Sequence, residues 1–181
     1  MRYVRIPVER IGVLIGPNGK TKHYLQEKTN IKITIDSELG EVIIHDEEPN
    51  QDDPLLMFKL EKIIRAIGRG FSPEHAFYLF KDDMDLYIFD IHDYVGKRKS
   101  HVLRLKSRVI GREGKTKRVL EQLTDSYISI YGHTIAVIAD FINMDFIKKA
   151  IDKLLSGSKH ATVYRYLETQ MKKLRLEQGF S

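Results

Sequence analysis

The sequence predicts an α+β fold made of two copies of one small domain. Three observations predict it. The segment Ile15-Gly16-Pro17-Asn18-Gly19-Lys20-Thr21-Lys22 returns, after an offset of 95 residues, as Ile110-Gly111-Arg112-Glu113-Gly114-Lys115-Thr116-Lys117. The register then holds without a gap through Leu25/Leu120, Thr29/Thr124, Ile33/Ile128 and Ile35/Ile130, too long a period for a solenoid unit. Each copy also mixes short β-branched runs of period two with segments that carry one apolar face at helical spacing. Finally, 181 residues at 42% hydrophobic and 30% charged suffice for real cores. They are neither disordered nor membrane-embedded, since no apolar run approaches the ~18 residues of a spanning helix.

The elements follow in order. Residues 3–8 alternate as a strand, with Pro7 near its end. Residues 9–15 form a short helix, which Gly16-Pro17-Asn18-Gly19 interrupts, and residues 20–29 a second. Residues 31–35 are a strictly alternating strand, and a turn around Gly40 leads to another at 42–45. In a helix over 55–67, Leu56, Leu60, Ile63, Ile64 and Ile67 share a face. Ser72-Pro73 marks the start of a short helix between the copies. The second copy reads as a strand at 86–91, a basic helix at 100–110, a helix at 115–124, strands at 127–131 and 134–139, and a helix at 143–155 burying Phe146, Ile147, Ile151, Leu154 and Leu155. A final helix, 161–177, places Val163, Leu167, Met171 and Leu174 on one side and leaves Lys172, Lys173 and Arg175 exposed. The domains are expected at 1–80 and 81–181.

Charge separates the copies. The net charge is +5, yet residues 36–53 hold eight acidic residues and no basic one, while residues 97–118 hold ten basic residues and only Glu113 as an acid. The second block attracts phosphates. The acidic stretch Asp46–Asp53 is expected to be a solvated loop that repels RNA, or else a dock for a basic protein. With zero cysteines there are no disulfides, thiolate zinc sites or thiol nucleophiles.

A helix, a Gly-x-x-Gly turn, a second helix and an Ile-x-Ile strand together resemble the K-homology (KH) domain, in the strand–helix–helix–strand–strand–helix order of its eukaryotic, or type I, form. The resemblance covers both copies. Physics supports it: glycines let a nucleic-acid backbone approach, and the loop stands at a helix N-terminus that favours phosphate. By the resemblance, the loop clamps about four nucleotides of backbone while bases lie on an apolar groove. That groove would be drawn from Val109, Ile110, Ile128 and Ile130 in the second copy and Leu14, Ile15, Ile33 and Ile35 in the first. Several of these must be core residues instead, and alternation does not say which. The expected RNA-binding residues are Gly111, Arg112, Glu113, Gly114, Lys115, Lys117, Arg118, Arg104 and Arg108, and in the first copy Gly16, Pro17, Asn18, Gly19 and Lys20. Arg112 favours phosphate where Glu113 opposes it, and the surrounding cations outweigh that carboxylate. The first loop is neutral and has few cations, so it orients RNA, docks a protein, or is a turn inherited from duplication.

Lys22 and Lys117 stand where KH domains usually carry an apolar residue. This variant, together with Gly70-Phe71-Ser72-Pro73-Glu74, Tyr127-Ile128-Ser129-Ile130-Tyr131-Gly132 and Thr162-Val163-Tyr164-Arg165-Tyr166-Leu167-Glu168, is similar to the two-KH ribosome-assembly factors of the partner-of-NOB, or Dim-two, type. The chain begins directly at the first KH strand, as expected of an archaeal member. The resemblance implies a non-catalytic, cytoplasmic factor in small-subunit rRNA processing. It implies binding of single-stranded rRNA near its 3′ end, beside a processing endonuclease and an rRNA dimethyltransferase. The alternative is a protein-interaction scaffold or translation-associated adaptor with reduced RNA binding.

Other patterns point nowhere specific. Gly-Lys-Thr evokes a nucleotide-binding loop, but that motif needs a glycine where Leu14 and Val109 stand. Asp82-Asp83-Met84-Asp85 lacks calcium-loop spacing and reads as a solvated turn. The seven histidines are scattered and unpaired, so no metal or other cofactor is expected. Phe77, Tyr78, Phe80, Tyr87, Phe89 and Tyr94 either stack bases or, the favoured reading, cement the two domains.

Overall fold

The computed structural model describes residues 1–45 and 53–179. The expected acidic loop lies, from Asp46 to Asp52, outside the described residues. The first copy comprises β1 (Arg2–Arg5), α1 (Val8–Ile15), α2 (Lys20–Thr29), β2 (Ile33–Asp36), β3 (Glu41–Ile44) and α3 (Leu56–Gly68), followed by a short α4 (Pro73–Ala76) and a 3₁₀ turn over Phe77–Phe80. The second comprises β4 (Met84–Asp90), α5 (His92–Val95), α6 (Lys99–Ile110), α7 (Lys115–Thr124), β5 (Tyr127–Tyr131), β6 (Thr134–Asp140), α8 (Phe141–Leu155) and α9 (His160–Glu177). Compact units divide at Leu86/Tyr87, inside β4.

Each unit has a three-stranded antiparallel sheet whose last strand is central, in the orders β1-β3-β2 and β4-β6-β5. Register places Ile33 opposite Ile44 and Ile35 opposite Val42; in the second sheet Ile128 faces Val137 and Ile130 faces Ile135. Strand alternation therefore stacks each Ile-x-Ile pair on a buried partner. In the first unit α3 buries Leu60, Ile63, Ile64 and Ile67. In the second, α8 buries Met144, Ile147, Ala150, Ile151, Leu154 and Leu155, and α9 adds Val163, Leu167 and Met171. Helix α8 starts at Phe141, two residues before the periodicity predicts. Its N-cap, Asp140, accepts hydrogen bonds from the Ile142 and Asn143 amides at 2.9 Å each. Phe146 is only partly buried.

The duplication is conserved in local detail. Thr29 and Thr124 are buried and donate to the Leu25 and Leu120 carbonyls at 2.7 and 2.8 Å. Asn30 and Asp125 end the two helices with φ of 56° and 46°, a left-handed position that short Asx side chains tolerate. Gln26 and Glu121, one turn earlier, accept the Ile33 and Ile128 amides at 2.8 Å. Each helix end is thus tied to the first residues of the next strand.

Candidate nucleic-acid interface

Helix α6 stops because Gly111 takes φ 73° and ψ 175°, a region open in practice to glycine alone. A Cβ there would collide with Thr116, whose backbone nitrogen would lie 2.7 Å away. Gly16 repeats this at φ 75° and ψ 171°, with the Thr21 nitrogen at 2.8 Å. The first glycine of each loop therefore lets the loop close onto the first turn of the following helix. Gly114 and Gly19 are different: both are left-handed, and a Cβ at either meets nothing within 4 Å. In each loop the second glycine leaves its Cβ direction open, while at the first that direction is filled by Thr116 or Thr21.

Between the glycines, Glu113 and Asn18 both take φ 53°. Glutamate is an unusual occupant of that region. Its carbonyl accepts a hydrogen bond from the Arg118 guanidinium at 3.1 Å, across the loop. No side chain caps α7, so the positive end of its dipole is left to favour an anion.

The expected cations divide into two sets. Arg104, Arg112 and Lys115 are exposed and have no ion-pair partner among the described residues. The other three are engaged within the unit. Lys117 Nζ sits 3.1 Å from Glu121, and Arg118 holds the Glu113 carbonyl. The Arg108 guanidinium donates to the Leu154 carbonyl at 2.9 Å and to the Ser158 carbonyl. Lys20 at the first loop is exposed, as are Pro17 and Asn18. Of the eight groove candidates, Leu14, Ile33, Val109 and Ile128 are core. Ile15, Ile35, Ile110 and Ile130 are partly exposed, one from the helix and one from the strand in each copy.

Sequence reasoning missed the contribution of α9. Tyr164 donates its hydroxyl hydrogen to Thr116 Oγ1 at 3.0 Å. His160 Nε2 donates to the Arg108 carbonyl at 2.8 Å. These ties fix α9 beside the loop and frame an open pocket of about 840 Å³ that shares Gly111, Arg112 and Lys115 with it. The signal was present in the Thr162–Glu168 segment, but nothing in its spacing connects it to Gly111.

The histidines are not all scattered, since the β5–β6 turn carries His133 back to the end of β4. His133 Nδ1 lies 2.9 Å and His92 Nδ1 3.5 Å from Asp90 Oδ1, and the two rings stack at 4.1 Å and 12°. Among the described residues this trio alone brings potential metal donors together. Burial works to raise the Asp90 carboxyl, but the hydrogen bonds from His133 and the His92 amide, with the nearby ring charges, hold it below the usual carboxylate range. Of the acidic turn, Asp82 and Asp85 accept from Lys59 and Lys62 of α3 at 2.6 and 2.5 Å. The connecting aromatics divide between the units. Phe77 and Phe80 pack with Tyr24 at 4.7 and 6.5 Å, whereas Phe89 is in the second core and Tyr94 donates to Asp152 at 2.6 Å.

Comparison with known proteins places this geometry. The profile of the eukaryotic type KH-domain (KH-domain type I), in its PNO1 second-domain form, matches residues 85–172, and the general KH domain matches residues 1–51. A KH domain-containing protein of Methanocaldococcus jannaschii is 41% identical over 95% of this chain and 74% of its own length. The pre-rRNA-processing protein PNO1 of Saccharomyces cerevisiae is 26% identical; the chain spans 64% of that relative. Dim2p of Pyrococcus horikoshii superposes with a TM-score of 0.85 at 44% identity, over 93% of this chain and 98% of that one. The same organism's a/eIF2alpha–aDim2p–rRNA complex gives a TM-score of 0.86 at 44% identity, over 95% of this chain and 94% of that one. With KH domains matched in both copies and Dim2p matched along nearly the whole length, the chain belongs to the PNO1/Dim2 family of KH-domain proteins.

Proposed function

We propose that this protein is a non-catalytic RNA-binding factor in rRNA processing, gripping single-stranded RNA at the Gly111–Gly114 loop. The observation that carries the reading is the loop itself. An open left-handed Gly114 and an uncapped α7 N-terminus stand beside three cations, Arg104, Arg112 and Lys115, without ion-pair partners among the described residues. These are the parts needed to hold a sugar–phosphate backbone. Ile110 and Ile130, partly exposed beside the loop, are the groove on which bases rest. Lys117, Arg118 and Arg108 support the grip by charge and by holding the loop and its neighbours in shape. The family relatives are named for pre-rRNA processing and one was solved with rRNA. By the family likeness the RNA is small-subunit rRNA near its 3′ end, the neighbours are the processing endonuclease and the rRNA dimethyltransferase, and the setting is cytoplasmic. No helix among the described residues is long and apolar enough to cross a membrane.

The test is Gly114→Asp with Lys115→Glu, read by filter binding of single-stranded RNA. The expected loss is at least ~10-fold with the circular-dichroism spectrum retained; an unchanged affinity in the folded variant refutes the assignment. A metal-dependent turnover assay with the purified protein is expected to show none. A second reading, a translation-associated adaptor, is favoured by the relative solved together with a/eIF2alpha. Copurification of that factor with a Gly114→Asp/Lys115→Glu variant would separate a protein contact from an RNA bridge.

A further inference from the structure

The pocket beside the second loop is lined from α6, the loop, the start of α7 and α9, and none of the groove candidates lines it. Its volume is about 840 Å³, and it opens widely to solvent. It shares Arg112 and Lys115 with the loop, and Arg104 on the exposed face of α6 adds a third cation without an ion-pair partner among the described residues. The lining also includes an exposed apolar side chain, Leu103, at 63% exposure, and the His160 and Tyr164 rings with centroids 6.2 Å apart. Both rings are held by their hydrogen bonds to Thr116 and the Arg108 carbonyl, so the wall is preorganised. Cations and fixed aromatic rings lining one pocket suit a phosphate joined to a flat ring.

We propose that this pocket receives one further nucleotide of the strand gripped by the loop, its phosphate toward Arg104 and Lys115 and its base against Tyr164 and Leu103. The occupant is argued from charge complementarity and from continuity, because Arg112 and Lys115 belong to loop and pocket alike. The inference rests on the RNA-gripping reading above. It adds that the footprint of the second domain extends past the groove, through a wall that the extra helix α9 supplies. Base–aromatic contact of this kind tolerates any base, so the pocket lengthens the footprint without dictating sequence.

The experiment compares two labelled random-sequence RNA pools, four and eight nucleotides long, by fluorescence anisotropy on the full chain. The unmodified protein is expected to bind the octamer more tightly. Ser107→Trp, at an exposed pocket-lining position of α6, fills the pocket; it should lower octamer affinity at least ~5-fold and leave the tetramer unchanged. Tyr164→Ala should do the same. Tyr164→Phe, which keeps the ring and loses the bond to Thr116, should retain octamer binding. Octamer affinity unchanged in Ser107→Trp, or an equal fall for both pools, overturns the proposal. Gly114→Asp with Lys115→Glu should weaken both pools; if it weakens neither, the loop reading itself has failed, which is a separate result.

Discussion

At the scale of single residues, the two glycines of each loop do different work. Gly111 occupies a glycine-only backbone region and its missing Cβ makes room for Thr116; Gly114 is left-handed with open space before it. Gly111→Ala should therefore combine backbone strain with overpacking and cost about 2–4 kcal/mol, whereas Gly114→Ala should cost about 1 kcal/mol. Urea unfolding followed by circular dichroism distinguishes them, and equal losses would refute the division. Glu113 is the strained member of the set, a non-glycine residue at φ 53° carrying a carboxylate beside the proposed phosphate site. Glu113→Asn copies Asn18 of the first loop. It should stabilise the unit by roughly 0.5–1 kcal/mol and tighten RNA binding, measured as Tm and Kd on the same preparation.

At the scale of elements, the second domain is held by ties that cross between segments distant in sequence. Arg108 binds the carbonyl end of α8 and the turn before α9. Arg10 does the same for the first unit, donating to the Ile67 and Phe71 carbonyls at 2.8 and 2.7 Å. Helix C-termini leave carbonyls without intrahelical partners, and a guanidinium fork satisfies two at once. Arg108→Ala should cost about 1–3 kcal/mol. Arg108→Lys should not restore it, since an ammonium cannot reproduce the fork. Asp90 provides a second tie, from the end of β4 to the β5–β6 turn. Because its carboxyl is held below the usual range in the fold, the ionised form is the stabilising one. The contribution is complete above the ordinary carboxylate pKa of about 3.9 and disappears as pH falls through the lower folded value. Acid titration of Tm should show a shallower acid limb in Asp90→Asn than in the unmodified protein.

At the scale of the whole molecule, the duplicated plan was legible because it repeats in local signals. Loop glycines, alternating isoleucines and Thr-Asx helix ends all act over a few residues. What was not legible is non-local or periodic in two ways at once. Ile33 and Ile35 share a strand face, yet one is core and the other partly exposed, a difference that alternation alone does not encode. Helix α5, Val95 included, is a single turn, too short for periodicity. The Asp90–His133 tie and the Tyr164–Thr116 contact bridge segments that only the fold brings together. The charge asymmetry was legible, and it carries the last prediction. Single-stranded RNA binding should fall with salt, with a log–log slope of about −0.7 for each phosphate neutralised. Lys115→Glu should make that slope shallower by at least ~0.7, since it removes a cation with no ion-pair partner among the described residues. Lys20→Glu should shift the slope less, because few cations surround Gly16–Gly19 and little phosphate is held there. Equal changes in the two slopes would show that both loops grip the strand alike, and would refute the proposal that the second domain is the main electrostatic anchor.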